Sequence, residues 1–501
     1  MGYKVLGVSA SLRNARRGLG NKNLLEDILS INNENDLKDY LSQQAFLHLQ
    51  NFKEAGRTLN LPFDKMYTNL KKQKGNKGLS NSEVALVSAL WSAKELGAEI
   101  DHISLSEYYT ESKVRNEDEL ISKLSLANGI LLSTPVYFGD RSSLAQSLVQ
   151  LMRDNKDLKE SLKNKIYAGI AVGAKRNGGQ ETTLIYQLMD MLNIGLLGVG
   201  NDSETTSQYG GTGLAGDIGT MPNDDYGLAT AMGTGRRIAR VSQLSQLGKS
   251  KKYIGKHKVQ FWILQDQDDK ALKLLNNLIS QFKDQFDAII INVSNKKVMR
   301  CLACDICPTH ISIDGDYRCI IKSKKDDFEE MHPYFLDSDA VIPVVFSPLS
   351  RIDLNTNYQK FIERTRYLRR GDYVMSDIVS SPIIYEEIGA NENMHIRMIT
   401  SMIRHHTISS KPIIGYIDDD KLINSEQVYS DFKNLNHTIR NIAKGRLLMY
   451  SDEMEHLKYK PVGYVLSAAK DAEDEKLNKR IAMMDNRKER ATKLKKIKIS
   501  K

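Results

Sequence analysis

Residues 3–13 read YKVLGVSASLR. Apolar and β-branched residues run as far as Ala10, and small hydroxyl residues and a cation follow. A buried strand that ends in small residues and then feeds a helix is how an open α/β sheet begins. The helix does not come at once. Residues 14–76 intervene, polar and rich in Asn and Lys, with patches of helical spacing such as NLLEDILSI (23–31). The delayed helix is SNSEVALVSALWSAKELGAE (80–99). Val84, Leu86, Val87, Leu90 and Leu96 share its apolar face, and Gly97 stops it. The first strand and its helix are therefore read as one unit, interrupted by a mostly helical insertion at about 14–76.

The pattern continues outward from there. EIDHISL (99–105), GILLSTPVYF (129–138) and IYAGIAVG (166–173) read as strands, with helices DELISKLSLA (118–127) and ETTLIYQLMDML (181–192) between or after them. After GKSKKYIGKHK (248–258) the plan repeats. Strands are KVQFWIL (258–264), FDAIIINVS (286–294), DAVIPVVFSP (339–348) and KPIIGYI (411–417). Helices are KALKLLNNLISQF (270–282), DDFEEMHPYFL (326–336) and NYQKFIERTRYL (357–368). Strands separated by helices imply right-handed crossovers and parallel sheets covered on both faces. The expected class is α/β, with two doubly wound parallel-sheet domains and a helical insertion in the first. The expected division is 1–248, a linker at 249–257, 258–450, and a charged tail at 451–501.

Bulk properties narrow the classes. A chain of 501 residues exceeds one core. No apolar run reaches the roughly 20 residues that span a bilayer. The first residues read as a strand, not as a secretion signal, and a cytoplasmic location with no membrane partner is the expectation. Net charge is +9, and part of it lies in NRKERATKLKKIKISK (486–501). No aromatic residue interleaves that run, so base stacking is not supported. A solvated, mobile terminus is the reading, and nucleic acid is not expected as a partner.

Three loops leave strand ends where an open sheet binds ligands. In GVSASLR (7–13), Ser9 and Ser11 can donate to phosphate oxygens and Arg13 adds charge; Ser80, Asn81 and Ser82 then open a helix whose N-terminus favours an anion. In STPVYFGDRSS (133–143), Tyr137 and Phe138 either face a flat heterocycle or are core aromatics of an ordinary turn. In GAKRNGGQETT (173–183), glycines allow close backbone approach, and Arg176 and Gln180 can reach carbonyls or phosphates. The glycine-rich residues 207–237 cannot be one regular element throughout, and are read as a long functional or disordered loop.

These loops together resemble the NAD(P)H-dependent FMN reductases of flavodoxin-like fold, the iron–sulfur flavoprotein branch above all. The resemblance covers residues 1–13 and about 77–200. It implies FMN held at its phosphate by Ser9, Ser11, Arg13, Ser80, Asn81 and Ser82. It implies Pro135, Val136, Tyr137, Phe138 and Gly139 at one edge of the isoalloxazine, with Asn177, Gly178, Gly179 and Gln180 opposite. The insertion at 14–76 is the departure from the pattern.

The second half resembles the same family in other parts. CLACDICPTHISIDGDYRC (301–319) holds Cys301, Cys304, Cys307 and Cys319, the only cysteines of the chain. Three at x2 spacing suit a [4Fe–4S] cluster. Zinc and thiols kept reduced for packing stand beside that reading. His310 is read as a loop histidine, and His405–His406 as a surface pair. The acidic run 418–420 is read as a polar turn. QDQDDK (265–270) replaces a phosphate loop, and its carboxylates would repel an anion. The chain is thus expected to keep its flavin loops in one half and its cysteines in the other, as a duplicated pair with divided labour. The function implied is an NAD(P)H-dependent flavin oxidoreductase. Electrons would pass from FMN, by way of a cluster, to an acceptor the sequence does not name, small molecule or protein. Pairing of two copies is a further expectation for this fold. The rival is a non-catalytic binding or assembly protein with a structural flavin or zinc.

Overall fold

Val5, Leu6 and Val8 are fully buried. Their strand β1 (Lys4–Ser9) lies between β2 (Glu99–Ser104) and β3 (Gly129–Pro135), both parallel to it. The structure is a computed structural model describing residues 2–12, 23–72, 78–109, 114–202, 205, 207–250, 252–304, 307, 319, 321, 325–335, 338–370, 374–452, 485 and 488–499. It divides into two compact units, Met1–Gln243 and Leu244–Lys501. The division lies inside a helix, a few residues before the linker expected at 249–257. Among the described residues no helix is long and apolar enough to cross a membrane.

In unit 1, β1 is followed by α1 (Leu24–Ser30), α2 (Glu34–Glu54), α3 (Phe63–Lys72) and α4 (Asn81–Glu95). Then come β2, α5 (Leu105–Tyr108), α6 (Glu117–Leu126), β3, α7 (Ser143–Asp154), α8 (Lys156–Leu162), β4 (Ile166–Gly173) and α9 (Gln180–Ile194). Two short strands, β5 (Leu197–Gly198) and β6 (Gly211–Leu214), precede α10 (Asp225–Ser250). Both pair parallel with β4, at Ile166–Tyr167 and at Ile170–Gly173, and so share one position in the sheet. The order is β2-β1-β3-β4-β5/β6, the 2-1-3-4-5 arrangement of flavodoxin-like sheets.

The helical insertion is present as expected, and it packs on α4. Trp91 donates its indole N–H to Ile31 O at 3.2 Å, and Lys94 reaches the same carbonyl at 2.7 Å. Covered by the insertion on one side and the sheet on the other, α4 is buried from Ser82 to Ala93 on all faces. That is why its sequence is apolar all round rather than striped.

The glycine-rich residues 207–237 are not one long loop. They form β6, a turn of 3₁₀-helix (Met221–Asn223) and the start of α10. Helix propensity argues against the second half of that run. Packing decides otherwise: a Cβ on Gly235 would stand 2.0 Å from Ala89 O. The glycine lets α10 lie against the backbone of α4, and the contact repays the propensity lost.

Unit 2 holds β7 (His257–Asp266), α11 (Lys270–Ser280), β8 (Phe286–Asn292), α12 (Phe328–Phe335), β9 (Ala340–Ser347) and β10 (Asn355–Thr356). It continues with α13 (Tyr358–Arg364), α14 (Arg366–Arg370), β11 (Val379–Ser380), β12 (Ile383–Glu387) and α15 (Met394–Ile403). It ends with β13 (Ile408–Ser409), β14 (Ile413–Asp418), β15 (Lys421–Leu422) and α16 (Ser425–Asp452). β7 pairs parallel with β8 and β9, β9 with β11 and β12, and these with β13 and β14. Taking β11/β12 and β13/β14 as interrupted strands, the order is again 2-1-3-4-5. Trp262 anchors its core between Phe335 and Phe361, edge to face at 5.3 and 5.0 Å.

Two expectations on this half are corrected. His405 and His406 are buried, not a surface pair, and His405 Nε2 lies 3.2 Å from Thr365 Oγ1. The reading of 486–501 as a solvated, mobile terminus is corrected where those residues are described: 488–498 are helical, and Ile499 bridges antiparallel to Tyr253 in an apolar cluster with Leu448. Ile499, invisible in the charge count, is buried in that cluster, and Lys498 lies over the Tyr253 ring. Asp419 and Asp420 do form a polar turn, where Asp420 pairs with Lys270 at 2.6 Å.

Candidate functional site

The ligand edge of unit 1 is built by hydrogen bonds between distant loops. Ser9 and Ser11 are buried at the end of β1. Ser9 Oγ donates to Glu83 Oε1 at 3.3 Å, and the other oxygen of Glu83 accepts the Ser80 N–H at 2.8 Å. One carboxylate in the first turn of α4 therefore ties the β1 turn to the helix start, across the whole insertion. Glu83 is legible in the sequence as the fourth residue of a capping box, SNSE (80–83), beside the expected Ser80, Asn81 and Ser82. Ser133 Oγ, at the end of β3, donates to Ser82 O at 2.7 Å. Ser142 Oγ, the N-cap of α7, donates to Ala10 O at 2.7 Å. These two serines escaped the sequence reading, although Ser142 stands where a cap is expected.

The structure places the expected residues unevenly. Ser9, Ser11, Ser80 and Ser82 gather where β1 ends and α4 begins. Asn81 sits with them, but its side chain is committed elsewhere: Nδ2 donates to Asp217 O at 2.8 Å and Oδ1 accepts the Met221 N–H at 3.3 Å. Arg13 lies outside the described residues, as does His310. Pro135 ends β3, and Tyr137 and Asp140 close a tight turn through two backbone bonds of 2.8 and 2.9 Å. Tyr137 and Phe138 are not core aromatics. Phe138 is fully exposed and held at φ +51°, a conformation that costs a non-glycine residue.

The third loop touches the second. A Cβ on Gly179, at φ +98°, would stand 2.8 Å from the Cα of Gly139. Asn177, Gly178 and Gly179 therefore lie beside Pro135–Gly139. Gln180 does not present its amide to this edge. It is buried, with Nε2 donating to Lys175 O at 2.7 Å and Gly213 O at 3.1 Å, while Oε1 accepts the Gly178 N–H at 2.9 Å. Its task is to shape the loop. Arg176 pairs with Asp224, and its guanidinium lies 4.9 Å from the Tyr226 ring centroid.

The equivalent edge of unit 2 is filled by the protein itself. Asp266, the last residue of β7, accepts the N–H groups of Gln267 and Ala271 at 2.8 Å and of Leu272 at 3.3 Å. The carboxylate occupies the N-terminus of α11, where an anion would otherwise bind. Burial raises its pKa above the ordinary value, against those backbone bonds. Glu392 accepts from Ser347 at 2.7 Å and Gln265 at 3.0 Å and pairs with Arg351.

The four cysteines converge within unit 2. Cys301, Cys304, Cys307 and Cys319 line one open cavity with Leu302, Ile321, Glu363, Arg364, Arg366 and Tyr367. Ala303, at φ +50°, turns the chain between the first two cysteines, and its N–H donates to Cys301 Sγ at 3.4 Å. Cys307 and Cys319 border the apolar core round Trp262. Among the described residues no three His, Cys, Asp or Glu side chains stand close enough to hold a single metal ion.

Residues 75–203 match the family described as NADPH-dependent FMN reductase. An iron-sulfur flavoprotein of Methanocaldococcus jannaschii is 42% identical over 127 residues, 25% of this chain and 65% of that protein. The match thus spans just under two thirds of that relative's length. An iron-sulfur flavoprotein of Methanosarcina thermophila is 32% identical over 190 residues, 34% of this chain and 93% of that protein. An NAD(P)H dehydrogenase (quinone) of Methylocella silvestris is 29% identical over 170 residues, 30% of this chain and 85% of that protein. Similarity at the level of the Methanosarcina protein, over nearly its whole length, places this chain in the NAD(P)H-dependent FMN reductase and iron–sulfur flavoprotein family.

Proposed function

We propose that the chain is an NAD(P)H-dependent flavin oxidoreductase that binds FMN at the carboxyl ends of β1, β3 and β4. The observation that carries the reading is the convergence of three loops, through Ser142 Oγ on Ala10 O and Gly179 on Gly139. Ser11 and the opening turn of α4, Ser80 to Ser82, suit a phosphate, because a buried hydroxyl and helix N–H groups favour an anion, while Ser9 frames that seat through its hydrogen bond to Glu83. Asn81 contributes its backbone N–H to that turn and its side chain to holding the 217–221 loop. Pro135 to Gly139 and Asn177 to Gly179 are the two lips for a flat ring, with Gln180 fixing the second. An exposed aromatic at Phe138, kept in a strained turn, is the kind of residue such a ring would cover. FMN, when bound, supplies acceptance of a hydride from the nicotinamide and release of electrons to the acceptor. The chain orients the ring and excludes water from its edge.

The same strand order in both units supports descent by duplication, with the second anion seat closed by Asp266. Four thiols on one cavity, three of them at x2 spacing, support a [4Fe–4S] cluster, with zinc as the alternative for the same thiols. A backbone N–H on Cys301 Sγ is what a cluster ligand receives.

The test is one anaerobic preparation, analysed for flavin, iron and sulfide together. A yellow protein with about one FMN per chain, bleached by NAD(P)H, is expected. A chain that stays colourless after reconstitution with FMN sinks the enzyme reading and favours a binding protein. Iron present in the wild type and absent from Cys301→Ser, with flavin unchanged, supports the cluster. Zinc in its place overturns it.

A further inference from the structure

Arg364 is the most deeply committed charge near the cysteines. It is 2% exposed, and it lines the cavity that all four cysteines share. Its Nη2 donates to Asp326 Oδ2 at 2.9 Å, and both side chains of the pair are 1% exposed. Its Nη1 donates to Met299 O at 3.2 Å. Asp326 Oδ1 accepts the Met299 N–H at 3.1 Å. The guanidinium lies 4.4 Å from the Phe328 ring centroid.

Two features follow from these contacts. First, Met299 stands two residues before Cys301 and Asp326 stands beyond Cys319. Arg364 and Asp326 thus bind both stems of the cysteine segment and set how far apart its ends are held. Second, the Arg364 Nε–H is buried and has no hydrogen-bond partner. An unmade bond on a buried guanidinium is costly, and a buried ion pair alone is weak support for stability. Arg364 lines the cysteine cavity, and a buried donor without a partner has a use when an acceptor comes within its reach. Sulfide and thiolate sulfurs of an anionic cluster are such acceptors, and hydrogen bonds and nearby charge set a cluster's reduction potential.

We infer that Arg364 is a positioning residue for an iron–sulfur cluster held by Cys301, Cys304, Cys307 and Cys319, donating its Nε–H to a cluster sulfur and raising the cluster's reduction potential. The inference rests on the cluster reading given above. Asp326 is its counterweight: it orients the guanidinium and offsets part of its charge. The two partners therefore act in opposite directions on the potential, although they act together on the loop.

The experiment compares the reconstituted full-length wild type with Arg364→Lys, Arg364→Gln and Asp326→Asn. Iron, sulfide and FMN content are measured, and cluster reduction is followed by an EPR-monitored redox titration. The expected result is a more negative midpoint potential in both Arg364 variants and an unchanged or more positive one in Asp326→Asn, with FMN content the same in all. Loss of iron from both Arg364 variants while Asp326→Asn stays loaded, with far-UV circular dichroism unchanged, also supports the assignment. A merely structural pair would lose iron equally from either side. A wild-type potential in loaded Arg364→Lys and Arg364→Gln overturns the inference alone, as does a shift of the same sign in Asp326→Asn. A wild type that takes up neither iron nor sulfide overturns the cluster reading and this inference with it.

Discussion

Asp266 Oδ1 accepts the N–H of Ala271 at 2.8 Å, and in doing so puts a carboxylate where a phosphate would meet the first helix of the second unit. In the first unit the corresponding strand ends in Ser9, a neutral residue whose hydroxyl donates to Glu83. The asymmetry predicts flavin stoichiometry. Equilibrium dialysis should give about one FMN per chain, and Asp266→Ala, which removes the acceptor of these N–H groups, should leave that number unchanged while lowering stability. Loss of the helix cap costs about 1 kcal/mol. Two FMN per wild-type chain would show that the seat in unit 2 is open.

Phe138 makes a second prediction. Its side chain is fully exposed, so Phe138→Ala should leave the melting temperature nearly unchanged. An aromatic contact with the ring is worth about 0.5–1.5 kcal/mol, so the Kd for FMN should rise roughly two- to tenfold. Phe138→Gly should relieve the left-handed backbone and raise stability by about 1 kcal/mol, with the same loss of affinity. Fluorescence titration of FMN beside a thermal melt separates the two effects.

Gly235 tests the packing of α10 on α4. A methyl group there meets the Ala89 carbonyl. Gly235→Ala should destabilise the fold by about 1–3 kcal/mol in a denaturant titration, although alanine is the better helix former. Because α4 also opens the phosphate turn, FMN affinity should fall with it. A stabilised Gly235→Ala would refute the close approach.

His405 predicts acid sensitivity. Its ring is buried, near Arg369 and Arg404, and its pKa is pushed down from 6.5 to about 3, chiefly by burial. Between pH 6.5 and about 3 the unfolded ring binds a proton that the folded ring refuses. Stability therefore falls as pH falls through that window, by about 1.4 kcal/mol for each unit of depression. His102, half-buried in β2 and lowered to about 4 by desolvation, adds to the loss. Thermal melts from pH 7 to pH 4 should show a shallower decline in His405→Asn than in the wild type. Equal slopes would mean that the ring is not kept neutral in the fold.

The sequence was enough for the order of strands and helices, because burial on a sheet face or helix stripe leaves a period that residues 3–10, 80–99 and 129–138 carry without help. It was enough, too, to single out three loops at strand ends, the insertion and the cysteine segment, since these stand out by small residues, aromatics and thiols at short spacing. What it could not supply is the partner each polar side chain would find. Asn81 and Gln180 look alike as candidate ligand residues, yet one amide holds the 217–221 loop and the other its own turn. Gly235 reads as a helix breaker until Ala89 comes within reach of it. The terminal helix reads as free charge until Ile499 finds Tyr253, and Arg364 reads as one cation among many until Asp326 and Met299 close round it. Local pattern follows from neighbours three or four residues away. These pairings join residues as much as roughly 250 positions apart, and only the folded chain brings them to hydrogen-bond distance.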